Sequence, residues 1–288
     1  MEKIKNVFSQ NGEDGVIEKI LGKLKCTDID KWCVEFGAWD GIHLSNTYNL
    51  IKNKQYNAIL IEGDKKKFED LKKNIPKKEV VKICKFVKFE GEDTLDGILK
   101  TTSIPKGFDL LSIDIDGCDY HILNSLEYYR PKVICIEFNP SIPNEVEYVQ
   151  PKDFNIKRGA SARSIINLGK EKGYDLVDIT LCNIFMVRND LSEFVIERNV
   201  IKLEDIRDDS DSKVFLFTGY DGTVLSNKKE LSIAWHTGIP MSISKMQYVP
   251  KYLRTYFANY NIIQKSCFFI WMALKNTKHF LKFFKDRS

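Results

Sequence analysis

The stretch that most constrains what this chain can fold into is Lys31–Gly41. A short apolar run, Trp32-Cys33-Val34, reads as a buried strand that delivers an acid, Glu35, and then two glycines four apart, Gly37 and Gly41, before a helical pattern begins near Ser45. Strand, glycine turn and helix in that order open a βαβ unit. Glycine is needed in such a turn where backbone must approach a ligand closely or where φ is positive. A dinucleotide fingerprint would read G-x-G-x-x-G, whereas the order here is acid-x-Gly-x-x-x-Gly. By itself the turn also fits an ordinary connection in another α/β protein, so the rest of the chain has to decide.

Further apolar runs repeat the pattern. Ala58–Ile61 reads as a second buried strand ending in Glu62-Gly63-Asp64. An acid there, roughly twenty residues beyond the glycine turn, is where nucleoside-binding α/β folds hold ribose hydroxyls, since both hydroxyls can donate to its two oxygens. Val80–Val87 reads as a third strand, followed by an acidic loop, Glu90–Asp96. Leu110–Ile113 forms a fourth and delivers Asp114, Asp116 and Asp119, with His121 close behind; Val133–Ile136 forms a fifth and delivers Glu137 and Asn139. Open α/β sheets bind ligands outside the carboxyl ends of their strands. Carboxylates gathered there are costly without a counter-charge, which a metal, a substrate proton or a cationic sulfonium would supply. Asp114, Asp116, Glu137 and Asn139 offer only oxygen, which suits Mg²⁺ or Mn²⁺ better than zinc. Asp119 reads instead as a turn or helix cap.

Five segments occur in one order: Ser9–Gly15, Val34–Gly41, Glu62, Ser112-Ile113-Asp114-Ile115-Asp116-Gly117 and Ile136-Glu137-Phe138-Asn139. Together they resemble the FkbM-like class I S-adenosylmethionine (SAM)-dependent methyltransferases, over roughly residues 7–190. The family's fourth-strand segment usually reads Lys-Ile-Asp-Val-Glu-Gly; here Ser112 replaces its lysine and Asp116 its glutamate. The resemblance implies a doubly wound, Rossmann-like α/β sheet, mostly parallel, closed by an antiparallel strand pair. It also implies SAM held by Glu35, Gly37, Ala38, Asp40, Gly41, Asn46, Glu62, Asp114 and an acid of the Glu92-Asp93 pair, with Asp93 as the candidate. Asp114, Asp116 or His121 would take the acceptor's proton, or a divalent metal held by Asp114, Glu137 and Asn139 would lower its pKa. The implied reaction is O-methylation of a saccharide or cell-surface glycan precursor. Two alternatives are a haloacid dehalogenase-type phosphatase using Asp114-Ile115-Asp116-Gly117, and a non-catalytic protein that keeps the SAM fold.

At 288 residues the chain is long enough for one large α/β core and an appendage. A net charge of +4 argues against a dedicated nucleic-acid binder. The seven cysteines form no C-x-x-C pair, so reduced thiols in a cytoplasmic protein are expected. The first residues lack the apolar core of a signal peptide, and no apolar run reaches eighteen residues. The expected division is a methyltransferase domain at 1–190, an accessory segment at 191–250 and a basic, aromatic amphipathic tail at 251–288. His236, in the accessory segment, reads as a packed or capping histidine. The tail fits an amphipathic helix on the inner face of an anionic membrane; packing on a second copy in a homodimer, or on the chain itself, are the alternatives.

Overall fold

The computed structural model describes residues 5–196, 201–233, 238–275 and 277–285, apart from the side chains of residues 279, 280, 283 and 284. His236 and the rings of Phe280, Phe283 and Phe284 lie outside this description. The chain divides into two compact units, Met1–Ser212 and Lys213–Ser288.

The first unit is built on seven strands: β1 (Trp32–Phe36), β2 (Asn57–Ile61), β3 (Val80–Ile83), β4 (Leu110–Ile113), β5 (Val133–Glu137), β6 (Tyr174–Ile179) and β7 (Asn183–Arg188). They form one sheet in the order β3-β2-β1-β4-β5-β7-β6, parallel except that β7 runs antiparallel to both β5 and β6. The fold is the doubly wound, Rossmann-like α/β sheet of class I methyltransferases. Its strand order turns around between β1 and β4, and it is outside the carboxyl ends at such a switch point that open sheets bind ligands.

Nearly every residue of the central strands is apolar because both faces are covered. One face, with Val34, Ile59, Leu111, Ile113 and Ile134, is buried under α4 (Leu95–Leu99), α5 (Asp119–Ser125) and α6 (Ala162–Glu171). The alternating residues Cys33, Ala58, Leu60, Leu110 and Cys135 meet α1 (Glu13–Lys23), α2 (Tyr48–Asn53) and α3 (Lys65–Asn74). The period-two alternation of strand side chains thus assigns each apolar residue to a layer. Short helices α7 (Ser192–Val195) and α8 (Leu203–Ile206) complete the unit; Val195 packs on the second face and Leu203 on the first. None of the seven cysteines is bonded to another; Cys33, Cys118 and Cys135 are buried, whereas Cys26 and Cys84 are exposed.

The second unit holds two antiparallel hairpins, β8 (Leu216–Thr218) with β9 (Val224–Ser226) and β10 (Glu230–Ile233) with β11 (Ile239–Ser242). An Asp221-Gly222 turn closes the first hairpin, with Gly222 at φ 79 and the Asp221 carboxylate accepting from Thr223 N and Oγ1. Helices α9 (Ile262–Lys275) and α10 (Thr277–Lys285) end the described chain.

Candidate cofactor and catalytic site

The carboxyl ends of β1, β2, β4 and β5 surround a cavity of about 610 Å³, within the range of small-molecule sites. It is lined by Glu35, Gly37, Ala38, Asn46 and Glu62 on one side, and by Asp114, Asp116, Glu137 and Asn183 on the other.

Tight backbone geometry forms the turn after β1. Gly37 sits at φ 83, and a Cβ there would lie 1.8 Å from the carbonyl oxygen of Asp114. Only glycine lets this turn run against the end of β4, and the amides of Gly37 and Ala38 both donate to the Ile61 carbonyl at 3.1 Å. Gly41, at φ 79, is required for a different reason: a Cβ there would lie 2.4 Å from a Leu71 methyl. It serves packing and does not line the cavity. Trp39, Leu44 and Asp116 hold positive φ values of 48°, 56° and 56°, and all three line the cavity. Each such non-glycine residue stores about 1–3 kcal/mol of strain, which clusters at functional sites.

Glu35 is buried, and its carboxylate accepts from Ser45 Oγ at 2.6 Å, Thr47 Oγ1 at 2.7 Å and Asn46 N at 2.8 Å. Burial pushes its pKa up, while those three donors pull it back down. The acid therefore fixes the 45–47 segment across the cavity floor, and Asn46 Nδ2 reaches on to Ser112 Oγ at 3.1 Å. Glu62 is also buried and holds its own loop, accepting from Trp39 N at 2.9 Å and Asp64 N at 2.7 Å. Each carboxylate oxygen can take more than one donor, so both acids keep acceptor capacity toward the cavity.

On the opposite wall, carboxyl oxygens of Asp114, Asp116 and Glu137 lie within 4.8 Å of one another. Among the described residues none of the three has an ion-pair partner within 4 Å. Burial, followed by the neighbouring carboxylates, pushes Asp114 up to about 7 and Glu137 up to about 10. The closeness of the Asp114 and Glu137 carboxyls, together with burial, favours the protonated form of each. Asp119, pushed up to about 6 chiefly by burial, accepts from Ile115 N and Gly117 N at 2.9 Å each. It is the turn-holding residue expected, and it keeps Asp116 in its left-handed conformation above the cavity.

Several sequence candidates stand away from the cavity lining. Asp40 caps its own turn, accepting from Ile42 N and His43 N. Asp93 is paired with Lys85 at 2.8 Å and Lys88 at 3.0 Å, and it is these lysines that face the cavity. The ring of His121 is turned from the carboxylates: its Nε2 meets the Gln150 carbonyl at 2.8 Å and its edge meets Phe89. Asn139 spends its amide on the loop after β5, donating to the Arg158 carbonyl and accepting from Ser141 N and Oγ.

Conversely, the cavity gathers Gln10, Glu13, Trp39, Lys67, Phe86, Lys157 and Asn183, of which Gln10 and Glu13, in the Ser9–Gly15 loop, and Trp39, inside the Val34–Gly41 motif, carried a sequence signal. Glu13 is fully buried and accepts from Asn11 N at 2.6 Å and Thr180 Oγ1 at 2.6 Å. It is at once the first-turn acid of a helix and a bridge to the β6–β7 turn. Asn183 faces Glu137 in the β5–β7 register; its Nδ2 donates to Glu13, while its buried Oδ1 has no partner. A buried polar atom without a partner calls for a ligand, a water or an ion.

Glycine turn, switch-point cavity and strand order together define the class: a class I, SAM-type methyltransferase fold. Residues 88–176 match the family model described as the methyltransferase FkbM domain, so the chain is FkbM-like across the segment that carries Asp114, Asp116 and Glu137. This match supports methyl transfer as the reaction class and SAM as the cofactor. Among solved structures the chain is similar to a SAM-dependent methyltransferase from Aquifex aeolicus, at 11% identity over 59% of this chain and 87% of that one, with a TM-score of 0.35. It is likewise similar to one from Clostridium acetobutylicum, at 10% identity over 61% and 89%, with a TM-score of 0.39. A third, from Galdieria sulphuraria and provisionally assigned as a sarcosine dimethylglycine methyltransferase, shares 10% identity over 57% of this chain at a TM-score of 0.38; the chain spans 62% of its length. Among curated proteins none matches.

Proposed function

We propose that this protein moves the methyl group of SAM to a hydroxyl of a saccharide or cell-surface glycan precursor. The observation that carries the reading is the single cavity with two chemically distinct walls. On one, Gly37, Glu35, Asn46 and Glu62 form a tight turn and acceptor groups suited to the methionine and ribose parts of the cofactor. On the other, the half-buried Asp114 and Glu137 and the exposed Asp116 have no cation beside them and await a proton donor or a positive charge. Methyl transfer needs both, because it is an in-line displacement in which the acceptor oxygen must be positioned and relieved of its proton. Asp114, pushed up to about 7 by burial and by its neighbours, suits a base working near neutrality.

A divalent Mg²⁺ or Mn²⁺ also fits the donor set of Asp114, Asp116 and Glu137, which is all hard oxygen. It would neutralise the cluster and acidify a bound hydroxyl. Asn139 stays with its loop, and the unpartnered Asn183 Oδ1 beside Glu137 is the better-placed neutral oxygen. A phosphatase built on Asp114 and Asp116 would leave the Gly37–Glu62 wall without a role. A non-catalytic protein would leave the strain at Trp39, Leu44 and Asp116 without one.

The test is calorimetric titration of SAM and S-adenosylhomocysteine into the purified protein, with Glu35→Gln and Glu62→Gln alongside. Micromolar binding weakened by both changes supports the cofactor and opens a screen of nucleotide sugars, with and without Mg²⁺, for label transfer from methyl-labelled SAM. Absence of heat from either ligand, with the circular dichroism intact, would sink the reading.

A further inference from the structure

The second unit carries an asymmetry that its sequence alone hides. Part of its aromatic set, which looked like membrane anchors, packs into a cluster around Phe268, while Tyr252 and Tyr256 stay exposed. Phe268 packs on Phe257, Tyr260 and Trp271, Tyr248 packs on Trp271, and Met272 is buried beside them. Gln264, on the same side of α9, is tied to the Tyr252 carbonyl. These positions occupy one side of α9. The other side is aliphatic and uncovered: Ile263, Ile270 and Leu274, at i, i+7 and i+11 of one helical stripe, are 65%, 60% and 78% exposed. On α10, Leu281 is 64% exposed and lies among Lys278, Lys282 and Lys285, all exposed on the same face.

We propose that this face of α9 and α10 docks on an anionic lipid surface. Residues 251–285 hold six lysines and one arginine and no Asp or Glu, so every ionised side chain in the segment carries the charge that such a surface attracts. A helix with an uncovered aliphatic stripe and flanking lysines inserts its apolar side into the headgroup boundary while the ammonium groups meet lipid phosphates and carboxylates. Charge also sets this occupant above a second copy of the chain. Stripe-on-stripe pairing would bring two lysine-only faces together with no carboxylate from this segment between them. Among the described residues no helix is long and apolar enough to cross a membrane, so the contact is one of lying on the surface. It is independent of the methyltransferase reading.

The experiment is co-sedimentation of the full chain with vesicles of phosphatidylcholine alone and of phosphatidylcholine mixed with phosphatidylserine, beside sedimentation velocity without lipid. Binding is expected on the anionic vesicles, falling as salt rises. Both Ile270→Glu/Leu274→Glu and Lys278→Glu/Lys282→Glu are expected to weaken it roughly 10-fold or more. All four side chains are exposed, so these variants keep the fold, which circular dichroism checks. Three results would each overturn the proposal: equal binding to both vesicle types, no binding to either, or variants that bind as the parent does. A dimer that Ile270→Glu/Leu274→Glu converts to monomer, without any lipid binding, would assign the face to self-association instead.

Discussion

The same sheet carries clustered carboxylates at both of its ends, and the two ends treat them oppositely. At the amino edge of β4, Asp109 is fully buried and accepts from Lys132 Nζ at 2.6 Å, from Lys31 N at 2.9 Å and from Asp30 N at 3.2 Å. Lys132 in turn reaches Asp30 at 3.1 Å. Every charge has a partner supplied by the chain. At the carboxyl edge, five and seven residues further along β4 and its turn, Asp114 and Asp116 stand with Glu137 and are given no cation. The first cluster ties the β1 entry to the β4 and β5 entries and leaves nothing for a ligand to do. The second is left incomplete, and what it lacks is what a substrate, a proton or a metal would bring. A carboxylate cluster marks a functional site by its missing partner, since clustered acids as such occur at both ends.

Four measurements would break or sharpen that contrast. Lys132→Met strips the amino-edge cluster of its cation and should cost about 3–5 kcal/mol in denaturant unfolding, because breaking a buried pair strands a charge. A loss under about 1 kcal/mol would show that the amino edge is no better compensated than the other. Gly37→Ala forces a Cβ onto the Asp114 carbonyl at a positive φ, and should destabilise the protein by about 3 kcal/mol. It should also abolish SAM binding in the calorimeter.

Asp114→Asn should do the reverse of Lys132→Met and leave stability unchanged or raised by roughly 1 kcal/mol near pH 7, since it removes a charge that nothing balances. The pH profile gives the sign. Asp114 is pushed from its ordinary 3.8 to about 7 in the folded protein, so over that window the folded state holds the proton that the unfolded chain has released. Its contribution is therefore fully present below pH 3.8 and is lost as pH rises through 7. Urea midpoints taken across this window should show that falling component, and Asp114→Asn should remove it. A parent profile and a variant profile of the same slope would mean that the carboxyl edge is compensated after all. The smallest effect is expected at Asp93, which is half-buried and already satisfied by Lys85 and Lys88. Asp93→Asn should change SAM affinity by less than about 2-fold, whereas a larger loss would bring the loop after β3 into the adenine site.

The sequence was informative where a physical requirement is local. Apolar runs with no polar alternation can only be strands covered on both faces, and β4 (Leu110–Ile113) is where its pattern puts it. The glycine at Gly37 and the acids at Glu35, Glu62, Asp114, Asp116 and Glu137 were legible because each ends a strand, and strand ends in such a sheet converge on one place. Residues drawn in from distant parts of the chain were not. Asn183 looks like any polar residue at a turn, and Glu13 like a helix cap; only the β5–β7 pairing and the docking of α1 bring both to the cavity. The C-terminal segment taught the converse. Its composition spoke for a membrane-binding helix, but which residues face outward depended on the aromatic cluster that folds inward around Phe268.

What the sequence by itself determined is the doubly wound sheet, the glycine turn and the set of strand-end acids, because propensity, periodicity and backbone sterics act over a few residues. The tertiary structure alone decided which of those acids are compensated and which are not. Lys132 meets Asp109 across 23 residues, whereas nothing comparable reaches Asp114. Compensation depends on distances across the fold, and no local pattern encodes them.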